Sequence, residues 1–145
     1  MESAQTLALV KEAFAAMASR DEARIARCFA PDAEWIAPPG NATARALGAA
    51  SGFVGAAPIA HFLAVEMHRL FVDVAVSFHG WHADGATAVV ELHLSSPLPN
   101  GAQYENDYCF VFTCAGGRIV RMREFMDTLA GERQIFAHGD PLAAR

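Results

Sequence analysis

The stretch Tyr104–Thr128, YENDYCFVFTCAGGRIVRMREFMDT, constrains the fold more than any other part of the chain. Aromatic and β-branched residues fill Tyr104–Thr113 and Ile119–Phe125, and Gly116-Gly117 lies between them. That pattern specifies two strands closed by a type I′ hairpin turn. With Ala115 and Arg118 flanking the turn, Cys109 is expected opposite Glu124, and Asp107 opposite Met126. One face then carries Glu105, Asp107, Cys109, Val111, Val120, Met122, Glu124 and Met126. The other carries Tyr104, Asn106, Tyr108, Phe110, Phe112, Arg121, Arg123, Phe125 and Asp127. Neither set is plainly a solvent face, so both are expected to meet something.

The rest of the chain supplies helices first and strands afterwards. Leu7, Val10, Phe14 and Met17 recur at helical spacing over residues 3–18. Asp21 suits the N-cap of a short second helix with Ile25, Cys28 and Phe29 inward, closed by Pro31. Ala33–Ile36 reads as a short strand. Pro38–Ala57, rich in Pro, Gly and Ala, reads as irregular, either a pocket wall or lid or a passive surface excursion. Pro58 fits the first turn of a third helix bearing Ile59, Phe62, Leu63, Met67 and Leu70 on one side. The period then changes to two: Val72, Val74, Val76 and Phe78 alternate with polar or small residues, and Asp84-Gly85 turns the chain into a strand over Thr87–Ser96. Residues 129–145 form a tail in which Ile135 and Phe136 can dock. The expected class is α+β: a single domain over residues 1–145, helices against a four-strand antiparallel meander.

A chain of 145 residues can bury roughly 68–70 % of its unfolded surface without covalent staples. Its net charge of −5, with one lysine and scattered arginines, lacks the basic stripe that nucleic-acid binding requires. No basic, apolar leader opens it and no apolar run approaches ~18 residues, so a cytoplasmic protein that does not enter the membrane is expected. Cys28, Cys109 and Cys114 are odd in number and read as reduced thiols.

Three blocks together resemble the SnoaL-like, ketosteroid isomerase-like group of the NTF2-like superfamily: FAPDAEW (Phe29–Trp35), GFVGAAPIAHFL (Gly52–Leu63), and the YENDY…GGRI…REFMDT hairpin. The resemblance implies an NTF2-like cone, with N-terminal helices packed into a curved antiparallel β-sheet around a central pocket. It also implies a homodimer across the outer sheet face. Members range over isomerases, cyclases, hydrolases, lyases and non-catalytic binding modules, so the fold names no reaction. By the same resemblance Glu124 matches a pocket carboxylate of epoxide hydrolases and polyketide cyclases. Cys109 takes the place of the isomerases' oxyanion-binding acid. The isomerases' general base falls at Ala37, and their tyrosine at Ala13 or Phe14, so classical ketosteroid isomerisation is excluded.

The expected site follows from that orientation. Glu124, Asp107 and His93 are the candidate proton carriers. Phe14, Met17, Trp35, Phe62, Cys109, Met122 and Met126 are the candidate pocket lining. A carboxylate facing an apolar cavity is desolvated, which raises its pKa toward neutrality and suits it to proton transfer. The alternative for Glu124 is an arginine salt bridge or a solvent position. Whether Glu91 and His93 face inward depends on the loop around Asn100-Gly101: as a two-residue turn it sends them outward, and one residue more or less sends them inward. Asp21 reads as a helix cap in preference to a catalytic group, and Trp35 as pocket lining or plain core. His79, His82 and Asp84 diverge on a strand entering a turn, so no metal site is expected. Tyr104, Tyr108, Phe110, Arg121, Arg123 and Phe125 are the expected dimer surface, tyrosine, phenylalanine and arginine being residues that interfaces favour. The function expected is cofactor-independent acid/base chemistry on a small, mostly apolar carbonyl-, enol- or epoxide-bearing molecule. The alternative is a non-catalytic ligand-binding or dimerisation module.

Overall fold

A computed structural model describes residues 1–143. The strands are β1 (Phe29–Ile36), β2 (Gly52–Val54), β3 (Ala75–Asp84), β4 (Thr87–Pro97), β5 (Gln103–Ala115) and β6 (Arg118–Met126). They form one curved, open six-strand sheet in the order β2-β1-β6-β5-β4-β3. The expected meander is its β3-β4-β5-β6 portion. β1 adds to it in parallel with β6, and β2 pairs antiparallel with β1 at the edge. The helices are α1 (Ser3–Ser19), α2 (Glu22–Arg27), α3 (Ala42–Leu47), α4 (Ala56–Ala64) and α5 (Thr128–Ile135), with a 3-10 turn at Glu66–Arg69.

Local chemistry sets the helix ends. The Asp21 carboxylate accepts from the Arg24 amide at 3.1 Å and caps α2, the use expected of it. Asn41 caps α3 through the Ala44 amide at 2.9 Å, and Gly48, at φ 64°, ends that helix in the left-handed conformation. The segment read as irregular between Pro38 and Ala57 thus contains a helix and an edge strand. Pro31, expected to close the second helix, lies inside β1.

Val10, Ala13 and Ala16 of α1, Ile25 of α2 and Ile59 of α4 are fully buried against the sheet. Phe14 and Met17 are half-buried because they border an internal cavity. Ile135 of α5 is fully buried, so the C-terminal segment docks as expected.

The decisive feature of the sheet is one unpaired residue. Gly116 and Gly117 take φ 59° and 76°, as a type I′ turn requires, and Ala115 pairs with Arg118 and Cys114 with Ile119 as expected. Thr113 then pairs with Arg121, leaving Val120 as a β-bulge. The bulge lets both Ile119 (0 % exposed) and Met122 (1 %) point inward, although they are three residues apart. It also advances the register by one, so Glu124 faces Phe110 and Met126 faces Tyr108. The inward set of β5 is therefore Tyr104, Asn106, Tyr108, Phe110, Phe112 and Cys114, the reverse of the expected face.

The β4–β5 connection also differs from a two-residue turn. Pro97 pairs with Gln103 across a loop of residues 98–102, which brings Glu91 opposite Cys109 and Leu92 opposite Tyr108. Val90 and Leu92 are buried while Glu91 is exposed, so Glu91 and His93 point outward. No described helix is long and apolar enough to cross a membrane.

Candidate active site

A cavity of about 520 Å³ lies between the concave sheet face and the helices. Phe14 and Met17 reach it from α1, Trp35 from β1, Phe53 from β2, Phe62 and Leu63 from α4, Leu92 and Leu94 from β4, Tyr108 and Phe110 from β5, and Met122 and Glu124 from β6. Aromatic rings build two of its walls. Trp35, Phe53 and Phe62 form one cluster, with ring centroids 5.0–5.7 Å apart. Phe14 makes edge contacts to Phe78, Trp81, Phe110 and Phe112 at 5.2–6.0 Å and organises the other. Val72, Val76 and Phe78, on and just before the edge strand β3, line the cavity and are exposed, which marks its mouth.

Glu124 is the carboxyl group set among these rings. Strand alternation beyond the bulge turns it inward with Met122. Protein atoms enclose it, and what accessible area it keeps opens into the cavity. Burial pushes its pKa up to about 7, while a hydrogen bond donated by Trp35 Nε1 to Oε1 at 3.0 Å opposes the rise. The carboxyl makes no ion pair with a described residue. One carboxylate oxygen is thus held by Trp35 and the other is free to meet a ligand.

The remaining polar lining groups are mostly committed elsewhere. Asn41 caps α3, and Ser51 accepts from the Gly40 amide at 2.8 Å. His68 Nε2 lies 3.1 Å from the Leu63 carbonyl, and burial, assisted by the charge of Arg20, holds its pKa below the usual value. Arg20 follows α1 with φ 58° and donates to the Ala64 carbonyl at 3.4 Å, which places its side chain at the cavity rim.

Of the expected lining residues, Phe14, Met17, Trp35, Phe62 and Met122 border the cavity; Met126 packs beside the core without reaching it, and Cys109 is outside. Asp107 and His93 do not share the cavity with Glu124. The bulge at Val120 turns Asp107 to the convex face, where its side chain is 83 % exposed and lies 2.8 Å from His93 Nδ1. Glu105 lies 3.5 Å from the other imidazole nitrogen. The hydrogen bond to Asp107, with the one to Glu105, raises the His93 pKa. Cys109 faces Phe125 on β6 instead of Glu124, with Glu91 beside it on β4, and burial with the Glu91 charge raises its thiol pKa.

The expected partner surface is corrected for the same reason. Tyr104, Tyr108 and Phe110 face inward, while Arg121, Arg123 and Phe125 remain outside. Tyr108, Phe110, Leu92 and Leu94 are the lining residues that the hairpin reading missed. Their signal was present: Tyr104, Tyr108, Phe110 and Phe112 alternate with Glu105 and Asp107, and an apolar set opposite an acidic one belongs inside. Among the described residues no cluster of three His, Cys, Asp or Glu side chains could hold a metal ion.

The architecture is shared with known structures. An NTF2-like protein from Burkholderia xenovorans LB400 superposes with a TM-score of 0.77 at 25 % identity, over 92 % of this chain and 98 % of that one. An LEH-like epoxide hydrolase from M. tuberculosis gives a TM-score of 0.71 at 19 % identity, over 93 % and 95 % of the two chains. A protein from Jannaschia sp. CCS1 assigned as a SnoaL-like polyketide cyclase gives 0.73 at 19 % identity, over 99 % and 95 %. No curated protein matches the chain. The family model of the SnoaL-like domain matches residues 10–122, a span that runs from α1 to Met122 on the cavity wall, and the chain belongs to the SnoaL-like domain family.

Proposed function

We propose that the protein is an acid/base enzyme acting on a small, mostly apolar molecule that bears a carbonyl, enol or epoxide. The observation that carries this reading is Glu124: a carboxyl with a pKa of about 7, one oxygen free, in a 520 Å³ cavity walled by aromatic rings. Near neutral pH such a group is populated in both forms, so it can take a proton from one position and return it to another. Phe14, Met17, Trp35, Phe62 and Met122 hold the apolar skeleton against it. Moving a proton between two positions of a carbonyl or enol compound uses the Glu124 carboxyl alone, whereas opening an epoxide also consumes a water, whose oxygen bonds to carbon as the ring C–O bond breaks and whose proton passes to Glu124. The similarity to an epoxide hydrolase and to a protein assigned as a polyketide cyclase supports this range of reactions and does not select among them.

A non-catalytic binding module is the second reading. It is favoured by the position of Asp107 and His93 outside the cavity, which leaves Glu124 without either expected partner in proton transfer. Screening carbonyl and epoxide compounds by thermal shift, then measuring turnover of the ligands found, separates the two. For an enzyme, Glu124→Gln keeps the ligand and loses about 100-fold or more in turnover. A Gln variant that turns over its ligand as fast as the parent would falsify the catalytic reading.

A further inference from the structure

Behind the cavity wall, three inward side chains of β5 form a hydrogen-bonded row whose proton directions can be deduced. Asn106 Nδ2 lies 2.9 Å from the Asp127 carbonyl and 3.1 Å from the Tyr104 hydroxyl. A carbonyl only accepts, so the first contact fixes which end of the amide is the NH₂ group. An NH₂ group only donates, so the Tyr104 oxygen accepts in the second. Tyr104 is 1 % exposed, and its one remaining partner is the Tyr108 hydroxyl at 2.5 Å. Were Tyr108 the donor in that contact, the Tyr104 proton would be buried with no acceptor, a cost that folded proteins avoid. Tyr104 therefore donates to Tyr108, and the Tyr108 proton is left over. Tyr108 borders the cavity, and no protein acceptor for its proton occurs among the described residues.

We propose that Tyr108 is the donor through which the cavity recognises its ligand's oxygen, with Asn106 and Tyr104 turning its proton inward. The ligand class is thereby narrowed to apolar molecules carrying a carbonyl-type acceptor. This rests on the cavity being a ligand site, as argued above, and adds a second contact to Glu124. The two groups lie on neighbouring strands: Phe110, opposite Glu124, stacks on Tyr108 with ring centroids 5.8 Å apart. Donation along the row polarises the last hydroxyl and strengthens it as a donor. Burial raises both phenol pKa values, that of Tyr108 well above the usual value, so the pair stays protonated.

The test compares 1-indanone with indane, which has the same skeleton and no oxygen. It is run at about pH 9, where Glu124 is ionised and only accepts. In the parent protein the carbonyl stretch of bound indanone is expected at lower wavenumber than in an apolar solvent. In Tyr108→Phe that displacement disappears, the indanone-to-indane affinity ratio falls about ten-fold, and indane binds as before. An unchanged ratio, or a displacement that persists in the variant, overturns the proposal. Should Tyr108→Phe fail to fold, global 3-fluorotyrosine labels this pair alone, because the chain has two tyrosines. Compared with unlabelled protein at the same pH, the more acidic phenol displaces the carbonyl band further; an identical band overturns the proposal. These readouts are of binding, so they stand or fall separately from the turnover of Glu124→Gln.

Discussion

Trp35 Nε1 donates to Glu124 Oε1 at 3.0 Å across two strands, β1 and β6, that run parallel and lie far apart in sequence. This hydrogen bond stabilises the charged form of a carboxyl that burial otherwise keeps protonated, so the two effects together set the working pKa. Replacing Trp35 by Phe removes the donor and keeps an aromatic wall. The Glu124 pKa is then expected to rise above about 7, and the acid limb of any pH–rate profile to move to higher pH. Infrared titration of the carboxylate band, with Glu124→Gln to assign it, measures this directly. A Trp35→Phe protein whose carboxylate titrates where the parent's does would show that the indole has no influence on the proton.

The same carboxyl makes stability depend on pH in an unusual direction. Its folded pKa, about 7, lies above the 4.5 of a glutamate in water, so between those values the folded state binds more protons than the unfolded state. Stability from this group is complete below about pH 4.5, falls as pH rises to about 7, and is flat above. The span corresponds to about 3 kcal/mol. Urea unfolding of the parent and of Glu124→Gln at both ends of that range tests it. The variant is expected to gain on the parent by roughly that amount as pH rises, and a difference independent of pH would refute the buried-acid assignment.

Glu124 was placed inward by the resemblance to SnoaL-like proteins, and it kept that face because Met122, Glu124 and Met126 alternate regularly beyond the disturbance. Tyr108 and Phe110 were turned the wrong way, against their own alternation with acidic residues, because their orientation was inferred from β6 through the turn, and one unpaired residue at Val120 inverted it. Nothing local announces that bulge; it exists so that Ile119 and Met122 can both reach the core. The β1–β6 pairing was hidden for a different reason. Parallel neighbours share no turn, so no short-range signal joins Trp35 to Met122. The helix over Ala42–Leu47 did carry local signals, Asn41 as cap and Gly48 as stop, but they were submerged in an Ala-, Pro- and Gly-rich stretch. Outward placement of Glu91 and His93 was one of two readings left open by the loop. The loop proved longer, and β5 turned over as well, so the pair ended outside.

The convex-face cluster makes a contrasting case. His93 and Asp107 are a close pair on the far side of the sheet from the cavity, and the raised His93 pKa has its first cause in that hydrogen bond. Any stability the pair contributes is present below the unfolded histidine pKa and lost as pH rises through the raised folded value. Asp107→Asn and His93→Gln are expected to leave ligand affinity and turnover within about two-fold, as surface substitutions do. Asp107→Asn should also lower the His93 pKa, seen in the imidazole resonances of an NMR titration. A large loss of turnover in either variant would place them in the chemistry and contradict the register.

The bulge itself gives the most demanding test of the fold. Deleting Val120 removes the unpaired residue, so Ile119 and Met122 come to lie two positions apart and stay on one face of an unbroken strand. Cys114, Thr113, Phe112 and Phe110 keep Ile119, Arg121, Met122 and Glu124 as their partners, and no core side chain changes sides. The deletion variant is therefore expected to keep the cavity, with a urea midpoint close to the parent's and a carboxyl titrating near the parent's value in infrared spectra. In a ladder without a bulge the same deletion would put Met122 and Glu124 on the other face from their present one and drive Arg121 and Arg123 inward, at the cost of desolvating two guanidiniums. A collapse of stability with loss of that titration would therefore mean that Val120 is no insertion in the ladder, and the inward orientation of Tyr108 and Phe110 would lose its physical basis.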